Sequence, residues 1–502
     1  MTIHLSILLF FPLGLSLVGA FAPRGLAPAT TLVGALVSLA YAVLLLFDFD
    51  TGSDRLQYVT DDKWIGELGV RYSLGIDGLN LWLVAITALL FAIAALWVTL
   101  RPPAERRRLF AFHLGLAETA VLGAFLAQDL LLFVLFFDLM LVPFYFLIGQ
   151  WGEGPDRVAA TFKLVVYTLV GSLLMLAGAV ATAVTAQAGA DGGLTFSIAR
   201  LAQAPLPEST QRWIFATFAL AFLIKMPAFP FHGWMPDGYR TMPLPALAVF
   251  SGVLSKVAAY GFLRVVLPIF PAATEDFQMV MLVIALASIL YGSVQAFTQT
   301  NTRLILGYSS MAQLGFIVLG IFALGQAAGA QGALLQMVNH GLVVAPLFFI
   351  IALLRERTGS DDLRDMGGVA FRAPVLASLF LIVALATLAM PGSANFAGEF
   401  LILLGVFNSK LAIAIVAFTG VAMASVYMLR AFIRAMHNRT GAGVRSFELR
   451  AADGLVLVPL VVAVLAFGVY PQQALRSSEA SVKKVVAAAG GGEALAREGA
   501  TP

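Results

Sequence analysis

The sequence predicts an all-α integral membrane protein of about fourteen transmembrane helices, arranged as two inverted five-helix repeats with one broken helix each. Of its 502 residues, 60% are hydrophobic and only 12% are charged, which is about half the charged fraction of a soluble domain. Apolar runs longer than about eighteen residues, enough to span a bilayer, recur throughout the chain. The twelfth contains Pro391-Gly392 in its middle, and the seventh contains Pro227 and Pro230.

Composition excludes several functional classes. The net charge is only +3, and no basic run indicates a nucleic-acid partner. The chain contains no cysteine, which excludes disulfides, thiolate metal sites, iron–sulfur ligation and cysteine nucleophiles. We therefore expect no cofactor in this chain, and any electron transfer must occur in partner subunits.

The apolar runs, bounded by charged or Pro/Gly-rich loops, predict fourteen spans. The first resembles a secretory signal peptide, but no basic segment precedes it and Pro23 follows it directly, so it is predicted to be a transmembrane helix. The spans cover approximately residues 4–22, 28–47, 79–100, 109–127, 130–151, 160–187, 211–235, 244–266, 276–297, 303–325, 328–354, 374–405, 411–435 and 454–471.

The twelfth span is too long to be a straight helix. It would extend about 48 Å at the α-helical rise per residue, against about 30 Å of hydrocarbon. Pro391 and Gly392 lie in its middle, and Pro227 and Pro230 lie in the seventh span. Both spans are therefore predicted to be broken, which a membrane tolerates only where protein or water replaces the lost hydrogen bonds.

The two breaks share a Met-Pro pair, Met226-Pro227 and Met390-Pro391, and they lie five helices apart. Because five is odd, the second unit must be inverted relative to the first, as in transporters built from inverted repeats. The predicted organisation is residues 1–108 with spans 1–3, 109–266 with the first repeat, 267–435 with the second repeat, and 436–502 with the last helix and tail.

Lysine and arginine predict the orientation. They are concentrated in the odd-numbered loops, including a cluster of Arg101, Arg106, Arg107 and Arg108. Since cytoplasmic loops are enriched in these residues, we expect the odd-numbered loops in the cytoplasm and both termini on the non-cytoplasmic side.

Ionisable residues inside the spans are candidate functional residues, because each costs roughly 2.5–3.5 kcal/mol at a helix centre. Only seven of the 31 basic residues are lysines, yet Lys225 and Lys256 lie in spans 7 and 8. Arginine stays protonated in proteins, whereas a buried lysine can release its proton. The lysine usage therefore indicates titration. Acids accompany these lysines in spans 4, 5 and 12, namely Glu118, Asp138 and Glu399.

Three histidines lie in or beside apolar spans, and neutral imidazole can relay a proton. They are His113, His232 and His340. His113 is expected to make a local hydrogen bond instead of relaying a proton. His340, near the centre of span 11, fits either role. Simpler interpretations stay open. A single intramembrane Lys–Asp pair can be a structural clamp, and Glu118 can be an acid at a helix interface.

Several segments resemble the antiporter-like subunits of bacterial proton-pumping NADH:quinone oxidoreductase (respiratory complex I). They are DLLLFVLFFDLMLVPFYFLIGQWG, FLIKMPAFPFHGWMPDGY, SGVLSKVAAYGFLR, GYSSMAQLGFIVLGIFALG, QMVNHGLVVAPLFF and MPGSANFAGEFLILLGVF. The resemblance covers about residues 70–435 and implies fourteen helices with paired inverted units. The M-type branch is the most similar, because Glu399 stands where the other paralogues are expected to carry lysine and the tail has no room for a long lateral helix.

The resemblance implies a role for each matching residue. Asp138 matches the acid that pairs with Lys225, and Lys256 matches the lysine that passes protons toward the molecule's centre. His340 matches a histidine of the central polar axis, and Glu399 matches the acid on the exit side. Glu118 is a further candidate for proton transfer.

The sequence departs from the family pattern at two positions. The family usually carries glutamate where Asp138 stands, and the shorter side chain puts direct contact with Lys225 in doubt. Asn301 stands where an acid is common, so no role is assigned to it.

The predicted function is proton translocation as a subunit of NADH:quinone oxidoreductase in the bacterial inner membrane. The expected partners are other membrane-arm subunits, including two antiporter-like paralogues, and the lipid bilayer. Flavin, iron–sulfur clusters and quinone are expected in partner subunits. One alternative is a subunit of a multisubunit cation/proton antiporter or membrane hydrogenase, because the lysine motifs are shared. The other is a non-conducting membrane scaffold.

Overall fold

The computed structural model describes residues 4–189, 193–441, 443–445 and 447–491, and it confirms a mostly helical membrane fold. The helices are α1 (Leu5–Phe21), α2 (Ala27–Asp48), α3 (Leu81–Leu100), α4 (Arg107–Leu126), α5 (Leu130–Leu139), α6 (Leu141–Trp151), α7 (Arg157–Ala186), α8 (Ile198–Leu201), α9 (Glu208–Lys225), α10 (Met235–Thr241), α11 (Leu244–Val249), α12 (Ser255–Gly261), α13 (Leu267–Ile269), α14 (Pro271–Asp276), α15 (Gln278–Thr298), α16 (Thr302–Ile321), α17 (Ala327–Thr358), α18 (Pro374–Thr387), α19 (Ala394–Ser409), α20 (Leu411–Met436), α21 (Ala451–Val469) and α22 (Gln472–Val486).

Two π-helical turns, Phe250–Leu254 and Phe262–Val266, join α11, α12 and α13 into one continuous span, Leu244–Ile269. Over the described residues, eleven helices are long and apolar enough to cross a membrane, and α1, α18 and α19 are shorter apolar helices. These lengths fit a protein with many membrane spans. The count of fourteen, the inverted repeats and the four-part organisation stay predictions.

Both predicted breaks are present. The helix α9 ends at Lys225, and the next helix, α10, begins at Met235. In the twelfth predicted span, α18 ends at Thr387 and α19 begins at Ala394. Proline explains both breaks, because its ring clashes with the carbonyl of the preceding turn and it has no N–H to donate.

A third break was not predicted. The fifth span consists of two helices, α5 and α6, which are separated at Met140. Pro143 lies four residues after Leu139, the last residue of α5, and a proline clashes with the carbonyl four residues earlier. The break therefore lies two residues after Asp138.

The structure also contains an antiparallel hairpin that the helical prediction missed. Its strands are β1 (Gln57–Ile65) and β2 (Val70–Ile76), in the loop between α2 and α3. Most β1 side chains are exposed or only half-buried, so the strand lacks the apolar signal of a core element. After α21, the amphipathic helix α22 packs one face, which includes Val482 and Val485, against the protein.

Polar contacts define two ends of the molecule. At the odd-loop end, Arg303 bonds to Glu153 at 2.7 Å and to Asp361 at 2.8 Å, which ties together loops that follow α6 and α17. At the even-loop end, the Gly78 N–H donates to Ser481 Oγ at 3.0 Å, and this contact ties the hairpin loop to α22.

The centre of the fold is shielded from lipid. The apolar stretches of Leu244–Ile269, α16 and α17 are completely buried inside the protein, whereas those of α2, α20 and α21 are only 33% buried. Large apolar side chains such as Phe47 and Phe418 are exposed on the outer helices. Lipid therefore contacts an outer layer, and the three central spans contact only protein.

Candidate functional site

Lys225 is the last residue of α9 and is buried against the break in the fifth span. Its ammonium donates to the Phe137 carbonyl at 3.0 Å and lies 4.5 Å from the centre of the Phe137 ring. Phe137 belongs to the last turn of α5, where backbone carbonyls have no helical partner. The lysine therefore caps the negative end of a half-helix, a favourable place for a cation.

The broken backbone that follows Lys225 obtains its hydrogen bonds from side chains. The Trp234 indole N–H donates to the Ile224 carbonyl at 2.9 Å, and the Phe229 N–H donates to Ser288 Oγ at 3.0 Å. These bonds replace part of the helical ladder inside the protein, as a break at membrane depth requires.

Asp138 directly follows Phe137, whose carbonyl accepts from Lys225, but the Asp138 and Lys225 side chains do not form a direct ion pair. Among the described residues, no oxygen of Asp138 lies within 4.0 Å of the Lys225 ammonium, although their charges interact. The Asp138 carboxylate interacts with Ser172, and its Oδ1 has no hydrogen-bond partner. The doubt about direct contact, based on the short aspartate, is therefore justified.

A small cavity lies between Lys225 and the first π-turn of the Leu244–Ile269 span. Its volume is about 10 Å³, and Thr168, Trp234, Phe250 and Leu254 are among the residues that line it with Lys225. That volume is close to the minimum that holds one water molecule. The gap between the two lysine regions is thus narrow and largely apolar.

Lys256 lies on the central span immediately after that π-turn and is 1% exposed. Its ammonium donates to the Ser251 carbonyl of the same turn. The Ser251 and Ser310 hydroxyls are 3.2 Å apart, which links the central span to α16. A π-turn leaves the normal hydrogen-bond pattern and frequently marks a functional site.

Glycines bring His340 close to Lys256. A Cβ atom on Gly341 would lie 2.7 Å from the Gly252 carbonyl oxygen, so α17 and the π-turn can approach this closely because Gly341 lacks a side chain. His340, the neighbour of Gly341, is buried and interacts electrostatically with Lys256. Its Nδ1 atom has no hydrogen-bond partner.

Glu399 lies on α19, after the second break, and is 3% exposed. The Gln313 amide donates to Glu399 Oε1 at 2.8 Å, and the Gln336 amide donates to Gln313 Oε1 at 2.7 Å. A Cβ on Gly398 would lie 2.4 Å from Gln336 Oε1, so this glycine allows the close contact between α17 and α19. The acid is therefore part of a buried amide chain that connects α16, α17 and α19.

A sequence model described as NADH:quinone oxidoreductase/Mrp antiporter, TM, matches residues 127–426. The chain belongs to this family. NADH-quinone oxidoreductase subunit M of Pseudomonas aeruginosa is 37% identical over 431 residues, which are 84% of this chain and 83% of that protein. Subunit M of Escherichia coli K12 is 36% identical over 445 residues, or 86% of each.

A solved structure of respiratory complex I contains a chain with a similar fold. A chain of respiratory complex I from Thermus thermophilus with bound NADH has a TM-score of 0.87 and 30% sequence identity, and the match covers 97% of this chain and 100% of that one. The resemblance to the antiporter-like subunits of complex I, and to their M-type branch, is confirmed by these relatives.

Some polar residues of this family member were not singled out from the sequence. Gln313 and Gln336 link to Glu399, and the Tyr427 hydroxyl, 2.8 Å from Ser309 Oγ, interacts with the same acid. These residues are neutral, so a search for charges inside apolar spans does not find them. A search for buried amides would have found both glutamines.

Two further candidate residues, Glu118 and His113, lie on α4. Glu118 is 1% exposed on α4, and its Oε1 has no hydrogen-bond partner. In the described part of the chain, no hydrogen bond or ion pair joins it to either central lysine. His113 stacks on Phe146 with ring centres 4.7 Å apart, and its Nδ1 is unpartnered. The local hydrogen bond expected for His113 is therefore not made by its Nδ1 atom within the described residues.

Asn301 has a structural place at the odd-loop end. Its side-chain oxygen accepts from the Arg303 and Leu304 N–H groups, so it caps the start of α16. Through the described ranges, no group of three or more His, Asp or Glu residues is arranged to hold a metal ion.

Proposed function

We propose that this chain is the proton-translocating, M-type membrane subunit of a bacterial NADH-quinone oxidoreductase. The observation that carries the proposal is the set of buried titratable residues, Lys225, Lys256, His340 and Glu399, within or beside helices that have no lipid contact. Ionisable groups in such places usually mark ion or proton pathways. The family membership and the subunit M relatives support the same conclusion.

In the proposed mechanism, Lys225 takes up a proton near Asp138. The nearby carboxylate and the carbonyl end of α5 both favour the protonated lysine. When a neighbouring subunit moves Asp138 away, one of these stabilising charges is lost and the proton leaves. The small cavity lined by Phe250 and Leu254 is the place where one water molecule would carry it toward Lys256.

From Lys256, the proton would move along His340 to the amide chain of Gln336 and Gln313, and then to Glu399. The close approach of Gly252 and Gly341 brings the first two groups together. Amides orient water and hydrogen bonds but do not hold the proton, so a titratable acid is needed at the end of the chain. In this scheme Glu399 releases the proton on the non-cytoplasmic side.

Glu118 is proposed as a secondary proton-transfer group. Its buried and unpartnered oxygen requires either protonation or a water molecule. Because no hydrogen bond or ion pair among the described residues joins it to either lysine, it would exchange protons with them through water rather than by direct contact.

The energy must come from partner subunits. Moving one charge against 100 mV requires about 2.3 kcal/mol, and the proposed source is redox chemistry on flavin, iron–sulfur clusters and quinone in those subunits. The other membrane-arm subunits, including two antiporter-like paralogues, would transmit it. The proposed location is the inner membrane, with the odd-loop end in the cytoplasm and both termini on the other side.

Affinity purification of the full chain from its native membrane, with identification of the copurifying subunits, tests the assignment. Subunits that carry flavin and iron–sulfur clusters are the expected partners. Recovery with only antiporter subunits would contradict the proposal and favour a cation/proton antiporter.

A second experiment addresses the scaffold alternative. In a purified complex reconstituted into vesicles, Lys225→Met and Lys256→Met together remove both buried lysine charges but keep apolar bulk. We expect the complex to assemble and proton pumping to stop. Normal NADH-driven pumping by this double variant would contradict proton translocation through the lysines and support a scaffold.

A further inference from the structure

A second buried ion pair lies at the even-loop end of the central span. Arg264 holds both carboxylate oxygens of Asp77, at 2.7 Å and 2.5 Å. The two side chains are only 10% and 7% exposed. Asp77 Oδ1 also accepts from the Leu79 N–H, which fixes the loop before α3. The pair therefore joins the end of the hairpin to the end of the Leu244–Ile269 span.

The pair lies on the same line of residues as Lys256. Tyr260 and Arg264 follow Lys256 at steps of four, which places neighbouring side chains on one helix face. Arg264 Nε donates to the Tyr260 hydroxyl at 2.8 Å, and that hydroxyl donates to the Phe125 carbonyl at 3.0 Å. Lys256, Tyr260 and Arg264 thus form a polar stripe along one face of the span, in which Arg264 bonds to Tyr260 while the Lys256 ammonium bonds to the Ser251 carbonyl, toward the other end.

An open cavity lies at the outer end of this stripe. Its volume is about 450 Å³, and Asp77 and Arg264 line it together with Gln128, Ser481 and Lys484. Water in this cavity would be separated from Tyr260 and Lys256 by the ion pair. A path that starts here would bypass His340 and Glu399 completely.

The chemistry of the pair suits a barrier better than a relay. An arginine keeps its proton in proteins and has no acceptor atom, so it cannot pass a proton along. Its fixed positive charge also repels protons, as an arginine does in proton-excluding pores. A plain structural clamp would serve at any place, but Arg264 both lines the cavity and bonds to Tyr260, which lies one turn before it on the helix face that carries Lys256.

We propose that the Asp77–Arg264 pair is a proton barrier, which prevents protons on Lys256 from exchanging with the cavity at the even-loop end. The inference rests on the proposed function in one respect, namely that Lys256 binds protons. In the proposed orientation, this barrier forces protons to leave through Glu399 and prevents backflow from the non-cytoplasmic side.

The test measures passive proton leak in vesicles that contain the purified complex, without NADH. Arg264→Gln removes the charge and the bidentate grip, and we expect the leak to rise roughly tenfold, since an electrostatic barrier is lost. Adding Lys256→Met to that variant should return the leak to the wild-type value. Arg212→Gln is the matched control, because Arg212 forms an exposed pair with Asp276 near the same end of the molecule, and its leak should not change.

A passive proton leak of Arg264→Gln equal to that of the wild type would overturn the proposal. A raised leak that persists in the Arg264→Gln, Lys256→Met double variant would also overturn it. If Arg264→Gln fails to assemble, the access of water to position 256 can be measured by thiol labelling instead. The chain has no cysteine of its own, so an introduced cysteine would be the only labelled residue of this chain. In Lys256→Cys, a small water-soluble thiol reagent should react faster when Asp77→Asn is added, and equal rates would overturn the barrier. Failure of the proposed function would show differently, as normal NADH-driven pumping by Lys256→Met alone.

Discussion

The Lys225 ammonium bonds to the backbone carbonyl of Phe137 and not to the carboxylate of Asp138. The break that ends α5 exposes this carbonyl, so the lysine is held by a fixed dipole while the carboxylate next to it stays outside direct contact. A small movement of Asp138 toward the lysine can therefore stabilise the charged form of Lys225. When Asp138 moves away, Lys225 loses that stabilisation but keeps its position, because the Phe137 carbonyl still holds it.

Lys225→Arg separates titration from simple pairing. Arginine keeps the positive charge and the long stem, so the complex should assemble, and a clamp would be as strong or stronger. Because arginine does not release its proton, we expect proton pumping to fall by about tenfold or more. A pH-sensitive dye in reconstituted vesicles measures the rate of proton pumping. Near-normal pumping by Lys225→Arg would refute the hypothesis that Lys225 binds and releases a proton in each cycle.

Asp138 can be tested with a longer and a neutral side chain. Asp138→Glu restores the methylene group that is usual in the family, and we expect it to keep most of the pumping activity. Asp138→Asn keeps the size but removes the charge that stabilises protonated Lys225, and pumping should fall roughly tenfold. Equal rates of NADH-driven acidification in the two variants would show that the carboxylate charge is not used.

Glu399→Gln should block pumping and leave assembly intact. The amide oxygen can still accept from the Gln313 amide, which now donates to Glu399 at 2.8 Å, but it cannot bind and release a proton. We expect a loss of about tenfold or more in pumping. Native gels check assembly, and an assembled variant with normal proton output would place the exit elsewhere.

His340→Ala should be milder than Glu399→Gln. Removing the ring leaves polar space beside Lys256, and one water molecule can replace an imidazole relay if it finds polar partners. We expect a reduction of only about two- to fivefold in pumping, well below the hundredfold typical of a lost acid or base. Complete loss of proton pumping in an assembled His340→Ala complex, measured by the same dye assay, would contradict this prediction and show that the histidine is required.

Gly341→Ala tests the close approach of the central spans. Its Cβ would lie 2.7 Å from the Gly252 carbonyl oxygen and 2.7 Å from Ile86 Cδ1, so α17 must move away from the π-turn. We expect a destabilisation of about 1–3 kcal/mol, seen as a lower temperature of dissociation of the purified complex. Gly14→Ala is the control, because nothing lies within 4 Å of its Cβ, and equal effects of the two variants would contradict this packing argument.

The sequence predicted the helices and two of their breaks because hydropathy and proline are local signals. The break at Met140 was missed although Pro143 was visible, since a single proline is tolerated in many membrane helices. The β1–β2 hairpin was missed because β1 buries no residue, and because the buried residues of β2 lie at its two ends instead of alternating along the strand. Such elements depend on contacts with distant segments.

The sequence analysis singled out the charged residues of the candidate site, whose roles stay predictions, and it missed the neutral groups between them. Lys225, Lys256 and Glu399 could be found because a charge inside an apolar span is rare. The sequence could not indicate that Lys225 bonds to a carbonyl, because that contact depends on where α5 ends. Nor could it indicate the amide chain from Gln336 to Glu399, which requires three helices to be in place.

The complete burial of the Leu244–Ile269 span has a consequence for how the protein is made. This span is the least apolar of the eleven in the described chain, and alone in a bilayer its lysine would cost roughly 2.5–3.5 kcal/mol. The helices that shield it, α16 and α17, are synthesised later. We expect a nascent chain that stops before residue 300 to be recognised and degraded, so the part of the molecule that carries protons would be the last to become stable during biogenesis.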